Sequence, residues 1–208
     1  FRIFWDNAYA VHDLYEQERD ELLEIFEECR KNGNEDLVYE FCSPSKVTFP
    51  GAGISAIAAS KANLDSIKSI MTIQTIGPDK LNQLRHVKYF KNIDGMREHM
   101  KKHAAIMRPK FEAVLSVLEK ELGGLEIGSW TRPRGGYFIS FEAMEGCAKA
   151  IVNKCKEAGV VMTGAGATYP YKADPKDSNI RIAPTFPSQE ELSVATDLFV
   201  LCVKLASV

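Results

Sequence analysis

The sequence lacks the features of a membrane-spanning or disulfide-stabilised protein. It contains no run of about 18 apolar residues, the length that a membrane-spanning helix needs. Its five cysteines are scattered, without the close Cys-Cys or Cys-His spacing of a disulfide framework or a zinc site. We therefore expect a cytoplasmic protein without a membrane partner, with reduced and mostly buried thiols and no bound metal.

No charge of one sign dominates the sequence either. The 26 basic residues are balanced by 28 acidic ones, which gives a net charge of −2 and argues against a nucleic-acid partner. The hydrophobic fraction of 45% is too high for a disordered chain of such low net charge. The length of 208 residues is enough for one large domain or two small ones.

The first residues form a β-type apolar run, Phe1–Asp6. A single strand is not stable alone, because its backbone N–H and C=O groups need neighbouring strands. We therefore expect this chain to be part of a larger protein, with the remaining strands of the sheet outside it.

The first forty residues or so predict a strand, a helix and a second strand. Residues 2–6 are apolar and are predicted to form a buried strand, residues 16–31 have helical apolar spacing, and residues 37–42 are again strand-like. This order is typical of a parallel crossover, in which functional groups gather at the carboxyl ends of the strands. Asp6 and the turn Ser43–Lys46 both lie at such ends.

The sequence as a whole predicts two domains. Residues 1–90 are interpreted as part of a large domain, and residues 91–208 as a compact α+β domain dominated by a long helix over 93–122 that contains Pro109. Further helices are predicted at 62–73, from about 79, at 145–157 and at 189–206, the last beginning with the capping-box spacing Ser188-Gln-Glu-Glu191; short strands are predicted at 125–130, 136–141, 159–163 and 179–183.

Single residues leave their roles open. Lys46 alone is a weak candidate for catalysis, because most lysines are solvated surface residues. Asp6 alone is more readily a helix-capping or turn aspartate than a functional one. Arg181, between two isoleucines, fits either a surface ion pair or a strand arginine that points into a cleft.

Taken together, the segments resemble a known family. Asp6-Asn-Ala-Tyr9, Ser43-Pro-Ser-Lys46 forty residues after Asp6, and Asn179-Ile-Arg-Ile182 follow one another in the order seen in fold-type I pyridoxal-phosphate aminotransferases. Pro133-Arg-Gly-Gly-Tyr-Phe138 resembles a segment of that family's small domain. The pattern around Tyr9 and Lys46 is similar to the MocR-like subgroup, which includes unusual aspartate aminotransferases.

The resemblance implies an α/β fold. In this fold the C-terminal part of a large domain, a mostly parallel sheet with helices, is followed by an α+β small domain. It also implies a homodimer with pyridoxal 5′-phosphate as cofactor. The implied activity is the transfer of an amino group between an amino acid, such as aspartate, and a 2-oxo acid.

The resemblance also assigns roles to five residues of the first domain. Lys46 would hold the cofactor aldehyde covalently and move the substrate proton. Asp6 would pair with the pyridine nitrogen and keep it protonated. Tyr9 would donate a hydrogen bond to the phenolic oxygen of the cofactor, unless it is only a half-buried core tyrosine. Ser43 and Ser45 would bind the phosphate, although serines in turns often bond only to backbone.

Four further positions complete the comparison with the family. Arg181 would bind the substrate α-carboxylate with its planar fork. Gly53 stands where many members carry a phosphate-binding arginine, so other groups must replace that cation. His12 is either a cofactor neighbour or a loop histidine with satisfied hydrogen bonds, and Thr75 aligns loosely with a residue that reaches the partner subunit's cofactor.

Two alternatives use the same cofactor. The chain could be the effector domain of a MocR-type transcription regulator, which a winged-helix segment upstream would indicate, or a carbon–sulfur lyase. In the enzyme interpretation, residues 1–208 alone are expected to be inactive, because the family's stacking aromatic residue and phosphate loop lie in the other half.

Overall fold

The computed structural model describes all residues from 1 to 208 and divides them into two compact units. Unit 1 comprises Phe1–His103 and unit 2 comprises Ala104–Val208. This division does not decide where the large and the small functional domain meet, and the boundary near residue 90 stays a prediction.

Unit 1 contains a three-stranded sheet. Strand β1 (Ile3–Asp6) pairs in parallel with β2 (Val38–Cys42), and Asp6 lies opposite Phe41 in the register. Strand β3 (Ala56–Ala59) pairs with β2 in the antiparallel direction. The predicted parallel crossover is therefore confirmed. The prediction that the first strand is buried is wrong, because β1 lies at the edge of this sheet and Phe4 is 71% exposed.

The sequence predicted neither β3 nor the short first helix correctly. Helix α1 covers only Ile25–Lys31 instead of 16–31. Leu22 and Leu23 remain more than 60% exposed, so the first predicted turns have no apolar contact to stabilise them. Strand β3 was missed because its four residues are mostly alanine, which has little intrinsic strand preference.

The other helices of unit 1 agree with their predictions. Helix α2 covers Lys61–Gln74, and α3 covers Lys80–Phe90 after the capping residue Asp79, whose carboxylate accepts a hydrogen bond from the backbone N–H of Asn82. Helix α4 covers Ile93–Leu122, as predicted, with Pro109 inside it, and residues of both units belong to this helix.

Unit 2 contains an antiparallel sheet and two further helices. Its strands β4 (Gly128–Trp130), β5 (Ile139–Ala143) and β6 (Asn179–Ile182) pair in that order. Helix α5 covers Ala148–Glu157 and α6 covers Gln189–Ala206. The capping box at Ser188 is present.

One predicted strand of unit 2 does not form. Residues 159–163 pair with no strand: Gly159 lies in a turn with a φ of +91°, and Val161 is 83% exposed. Residues 125–127, at the start of another predicted strand, also lie outside the sheet, since β4 begins at Gly128. Short apolar runs predict strands, but only a neighbouring strand with free backbone groups completes one.

The core of unit 2 joins its long helix to the sheet. Fully buried side chains come from every layer of the unit, and Phe141 packs edge-on against Phe199 with ring centroids 5.1 Å apart. The largest of these buried residues are Phe111, Phe141, Leu118, Leu122, Ile139, Ile151 and Ile180. This core fixes β6, the strand that carries Arg181.

The cysteines are free, but the expectation that most are buried is wrong. Cys155 and Cys202 are buried, whereas Cys42 is exposed and the other two are half-buried. Burial beside Cys202 raises the pKa of Cys155 to about 12.

Among the helices, none combines the length and apolarity that crossing a bilayer requires. No group of three or more His, Cys, Asp or Glu side chains is arranged to hold a metal ion.

Candidate active site

Asp6 and Ser43 lie at the same edge of the unit 1 sheet. Because β1 and β2 are parallel and Asp6 pairs with Phe41, the chain leaves both strands on one side. The backbone N–H of Asn7 continues the ladder with a 2.8 Å hydrogen bond to the carbonyl oxygen of Phe41. Asp6, which is exposed, therefore lies opposite a residue that precedes Ser43 by only two positions, and Ser43 begins the next turn.

The segment Ser43–Thr48, which we call the lysine turn, is a single tight turn that carries Lys46. Its 3₁₀ helix Pro44–Lys46 begins at Ser43, whose hydroxyl oxygen accepts from the backbone N–H of Ser45 at 3.1 Å. The two serine hydroxyls are 2.8 Å apart and share a hydrogen bond. At the other end of the turn, the N–H groups of Val47 and Thr48 both donate to the carbonyl oxygen of Pro44.

Tyr9 and His12 connect the loop after β1 to the lysine turn. The Tyr9 ring contacts the His12 ring edge-on, with centroids 5.5 Å apart. His12 is only 4% exposed, and its Nε2 lies 3.0 Å from the carbonyl oxygen of Lys46. His12 thus lies in the loop after β1 and contacts the backbone of the candidate catalytic lysine, and its proximity to a cofactor stays a prediction.

Gly53 has a backbone conformation that an arginine would adopt only with strain. Its φ is +73°, in the left-handed region, and a Cβ atom there would lie 2.7 Å from Nδ2 of Asn82. The difference from the family pattern at this position is therefore built into the local backbone of the loop, not only into the side chain.

Arg181 is held in unit 2 by apolar neighbours. On β6 it pairs with Ser140, and its neighbours Ile180 and Ile182 are buried. The guanidinium carbon lies 4.4 Å from the centre of the Phe138 ring, a cation–π contact, and one terminal nitrogen is 3.4 Å from the Thr163 hydroxyl.

Arg181 also lines a largely apolar cavity of about 290 Å³ within unit 2. Its Nε atom is buried and has no hydrogen-bond partner in the protein. A buried donor without a partner carries a free-energy penalty that an acceptor from a ligand would remove. This observation favours the cleft interpretation of Arg181 over a surface ion pair.

Thr75 has a local structural role. It ends helix α2, and its hydroxyl donates to the carbonyl oxygen of Gly77 at 3.0 Å. Two histidines that the sequence did not single out, His86 and His99, instead contact the lysine turn. They lie on helices about forty and fifty residues after Lys46, so no short motif indicates them.

The structure thus brings Asp6, Tyr9, Ser43, Ser45 and Lys46 together in unit 1 and places Arg181 in unit 2. These residues supply a carboxylate, a phenol, two hydroxyls, an amine and a guanidinium. Their catalytic roles stay predictions.

Comparison with known proteins identifies the family. The family model of aspartate amino-transferases matches residues 1–208. The aspartate aminotransferase of Corynebacterium glutamicum is 44% identical over 207 residues, which cover 100% of this chain and 48% of that protein. The chain therefore spans about half the length of the curated relatives it matches.

Solved structures agree with the sequence comparison. The crystal structure of an aspartate transaminase from Corynebacterium glutamicum matches with a TM-score of 0.94 and 43% identity, over 100% of this chain and 49% of that one. The α-aminoadipate aminotransferase LysN of Thermus thermophilus, at 22% identity, shares the fold with a TM-score of 0.77 over 99% of this chain and 51% of its own. The α/β fold predicted from the sequence is thereby confirmed, and the chain belongs to the aspartate amino-transferase family, within the aminotransferases of pyridoxal-phosphate fold type I.

Proposed function

We propose that this chain carries part of the active site of a pyridoxal-phosphate-dependent aminotransferase that moves an amino group between an amino acid, such as aspartate, and a 2-oxo acid. The observation that carries the proposal is the arrangement at one sheet edge. Asp6 leaves β1 and the lysine turn leaves the parallel strand β2 at the same side, with Tyr9 and Lys46 linked through His12.

The residues present fit this cofactor chemically. An exposed carboxylate at Asp6 suits a protonated ring nitrogen, and the paired hydroxyls of Ser43 and Ser45 suit a phosphate. The exposed side chain of Lys46 is the amine that an aldehyde needs, and it lies in the same turn as these hydroxyls. Backbone N–H groups of the glycine-containing loop 51–53 are candidates for the charge that an arginine at Gly53 would have supplied.

When bound, pyridoxal phosphate supplies an electron sink for the charge that develops at the substrate α-carbon. The protein supplies binding and proton transfer. The Asp6 carboxylate holds a proton at the ring nitrogen, and a charge-assisted hydrogen bond of this kind contributes about 1.5–3 kcal/mol. The Nζ atom of Lys46 moves the proton from the substrate Cα, and Tyr9 donates from its hydroxyl to the phenolic oxygen.

Arg181 is the proposed residue for the substrate carboxylate. Its fork can donate two parallel hydrogen bonds, which a lysine cannot reproduce. The unpartnered Nε atom and the ring of Phe138 support this role, since the first needs an acceptor and the second fixes the plane of the guanidinium.

We also infer that the enzyme acts as a homodimer, as the family resemblance implies, and that it acts in the cytoplasm, as its scattered cysteines indicate. The transcription-regulator and carbon–sulfur lyase alternatives are not favoured, because the relative at 44% identity is named an aspartate aminotransferase.

The test is to locate the covalent attachment in the full-length protein. After incubation with pyridoxal phosphate and borohydride reduction, peptide mapping should place the pyridoxyl mass on Lys46. Lys46→Ala should lose the label and reduce the half-reaction with aspartate by several orders of magnitude, because the nucleophile and the base are both removed. Lys68→Ala, at an exposed position on α2, is the matched control. A label on another lysine in the protein without substitutions would refute the assignment.

A further inference from the structure

Three histidines from three different segments contact three consecutive residues of the lysine turn. Nε2 of His12 lies 3.0 Å from the carbonyl oxygen of Lys46, and Nε2 of His99 lies 2.8 Å from the carbonyl oxygen of Val47. Nε2 of His86 lies 3.1 Å from the hydroxyl of Thr48. His12 follows β1, His86 lies on α3 and His99 lies on α4, so the contacts come from separate parts of unit 1.

These contacts satisfy groups that the turn itself leaves open. The last carbonyl groups of a helical turn have no partner within it and need an external donor. Pro44 accepts from the N–H groups of Val47 and Thr48, and the carbonyl oxygens of Lys46 and Val47 receive imidazole N–H groups instead. The peptide group that follows the Cα atom of Lys46 is thus anchored at its carbonyl oxygen, and the next peptide group is anchored at the carbonyl oxygen of Val47.

Each imidazole is itself held by a second contact. Nδ1 of His99 lies 3.1 Å from the Tyr89 hydroxyl, which leaves Nε2–H to donate to Val47. The His12 ring packs edge-on against Tyr9, a candidate cofactor residue.

His86 is also fixed by its own helix. Its Nδ1 lies 2.8 Å from the carbonyl oxygen of Asn82, which requires Nδ1–H. In the neutral ring, Nε2 is then an acceptor 3.1 Å from the Thr48 hydroxyl, whose single proton is shared between this nitrogen and the carbonyl oxygen of Pro44, also 3.1 Å away. Side chains fixed in this way are suited to setting the position of a backbone segment.

We propose that His12, His86 and His99 form a clamp of positioning residues that fixes the backbone of the lysine turn, and with it the origin of the Lys46 side chain, for proton transfer. This inference rests on the proposed function of Lys46. The clamp residues act through the backbone of the turn. Displacement of a catalytic group by about 1 Å can reduce the rate on the order of a hundredfold, so the anchoring is part of the catalytic geometry.

The test uses paired substitutions in the full-length protein. A glutamine amide can place an N–H near the position of Nε2, whereas leucine or phenylalanine cannot donate. We compare His99→Gln with His99→Leu, and His12→Gln with His12→Phe. His103→Gln is the control for a substitution close to His99. His103 lies one turn from His99 on α4, and the centroids of the two rings are 4.7 Å apart.

The first readout needs neither cofactor nor activity. Hydrogen exchange of the Val47 and Thr48 amides, measured without cofactor, should accelerate about tenfold in His99→Leu and His12→Phe, since a lost hydrogen bond of roughly 1.4 kcal/mol corresponds to that factor. Both glutamine variants and His103→Gln should stay within about threefold of the parent.

The second readout is the half-reaction with amino acid. The non-donating variants should lose about tenfold or more in the rate constant, with KM changed less than about twofold, and glutamine should restore the rate. Unchanged amide exchange in His99→Leu would overturn the clamp, as would equal losses in the Gln and Leu variants. His99 is only half-buried, so this pair decides the question even if His12→Phe does not fold.

The experiment separates the clamp from the proposed function. If the parent carries the pyridoxyl label on Lys46 but exchange and rate do not respond to His99→Leu, the clamp is refuted and the proposed function stands. If the parent carries no label on Lys46, the proposed function fails and the catalytic part of the clamp fails with it.

Discussion

At the scale of single residues, the histidines have a common location. The chain has four histidines, and all four lie in unit 1. His99 and His103 are one turn apart on α4, and their rings are 4.7 Å apart. Partial burial, together with the proximity of His99 and His12, lowers the pKa of His103 below the ordinary histidine value. The native protein therefore favours the neutral form of His103.

The first prediction concerns the pH dependence that follows from His103. Because its native pKa lies below the unfolded value of about 6.5, the unfolded chain binds more protons in the window between the two values. The contribution of His103 to the free energy of unfolding is therefore largest above about pH 6.5 and decreases as the pH falls through its native pKa. The His103→Gln variant should lose less stability over this window than the parent.

Urea denaturation midpoints on both sides of about pH 6.5 measure the difference, with the full-length parent and variant compared at each pH. Because the other titrating groups are shared, the difference between the two proteins isolates His103. A parallel pH dependence of the two proteins would contradict the lowered pKa.

At the scale of elements, helices with caps and long periodicity could be predicted from the sequence. The 93–122 helix was predicted with its observed bounds, because its apolar positions repeat over eight turns and Gly123 follows it. Strands were harder to predict, since their stability depends on partners elsewhere in the chain. Residues 159–163 have an apolar sequence typical of a strand, but they pair with no other strand. The alanine-rich segment Ala56–Ala59 forms a strand because its backbone pairs with that of β2.

The second prediction tests a cap that the sequence indicated. The Ser188 hydroxyl accepts from the N–H of Glu191, and the Glu191 carboxylate accepts from the N–H of Ser188 at 2.9 Å. Ser188→Ala removes one of these bonds at the start of α6, so the free energy of unfolding should fall by about 0.5–2 kcal/mol. Denaturant titration measures this change.

Ser193→Ala is the matched control for the cap. Ser193 lies exposed within the same helix, where alanine has the higher helix propensity, so this substitution should be neutral or slightly stabilising. Equal effects of the two substitutions would indicate that the serine at 188 has no capping role.

At the scale of the whole molecule, the sequence indicated the candidate site residues, but it did not indicate the contacts that support the lysine turn. Asp6, Tyr9, Ser43, Ser45 and Lys46 belong to short ordered motifs, and motifs can be recognised in a single chain. The histidine contacts to the lysine turn come from α3 and α4 and depend on how these helices fold back within unit 1. Such tertiary contacts have no fixed spacing in the sequence.

The last prediction concerns a polypeptide of residues 1–208 prepared alone. Within it, Asp6 and Lys46 are exposed to water. Helix α2 buries no side chain, and even its apolar residue Ile73 is 89% exposed. Charged groups in open water interact far more weakly than in a closed, water-excluded site, so the two residues alone would hold and orient the cofactor poorly. We expect transamination at least about a hundredfold slower than in the protein at the full length that its gene encodes.

The measurement compares both proteins with added pyridoxal phosphate, aspartate and 2-oxoglutarate, and follows glutamate formation. Far-UV circular dichroism of the 1–208 polypeptide provides the control for folding, and an apolar dye should bind it more strongly than the longer protein because of the exposed face of α2. Turnover by residues 1–208 at a comparable rate would show that Asp6, Lys46 and their neighbours suffice for catalysis despite their exposure.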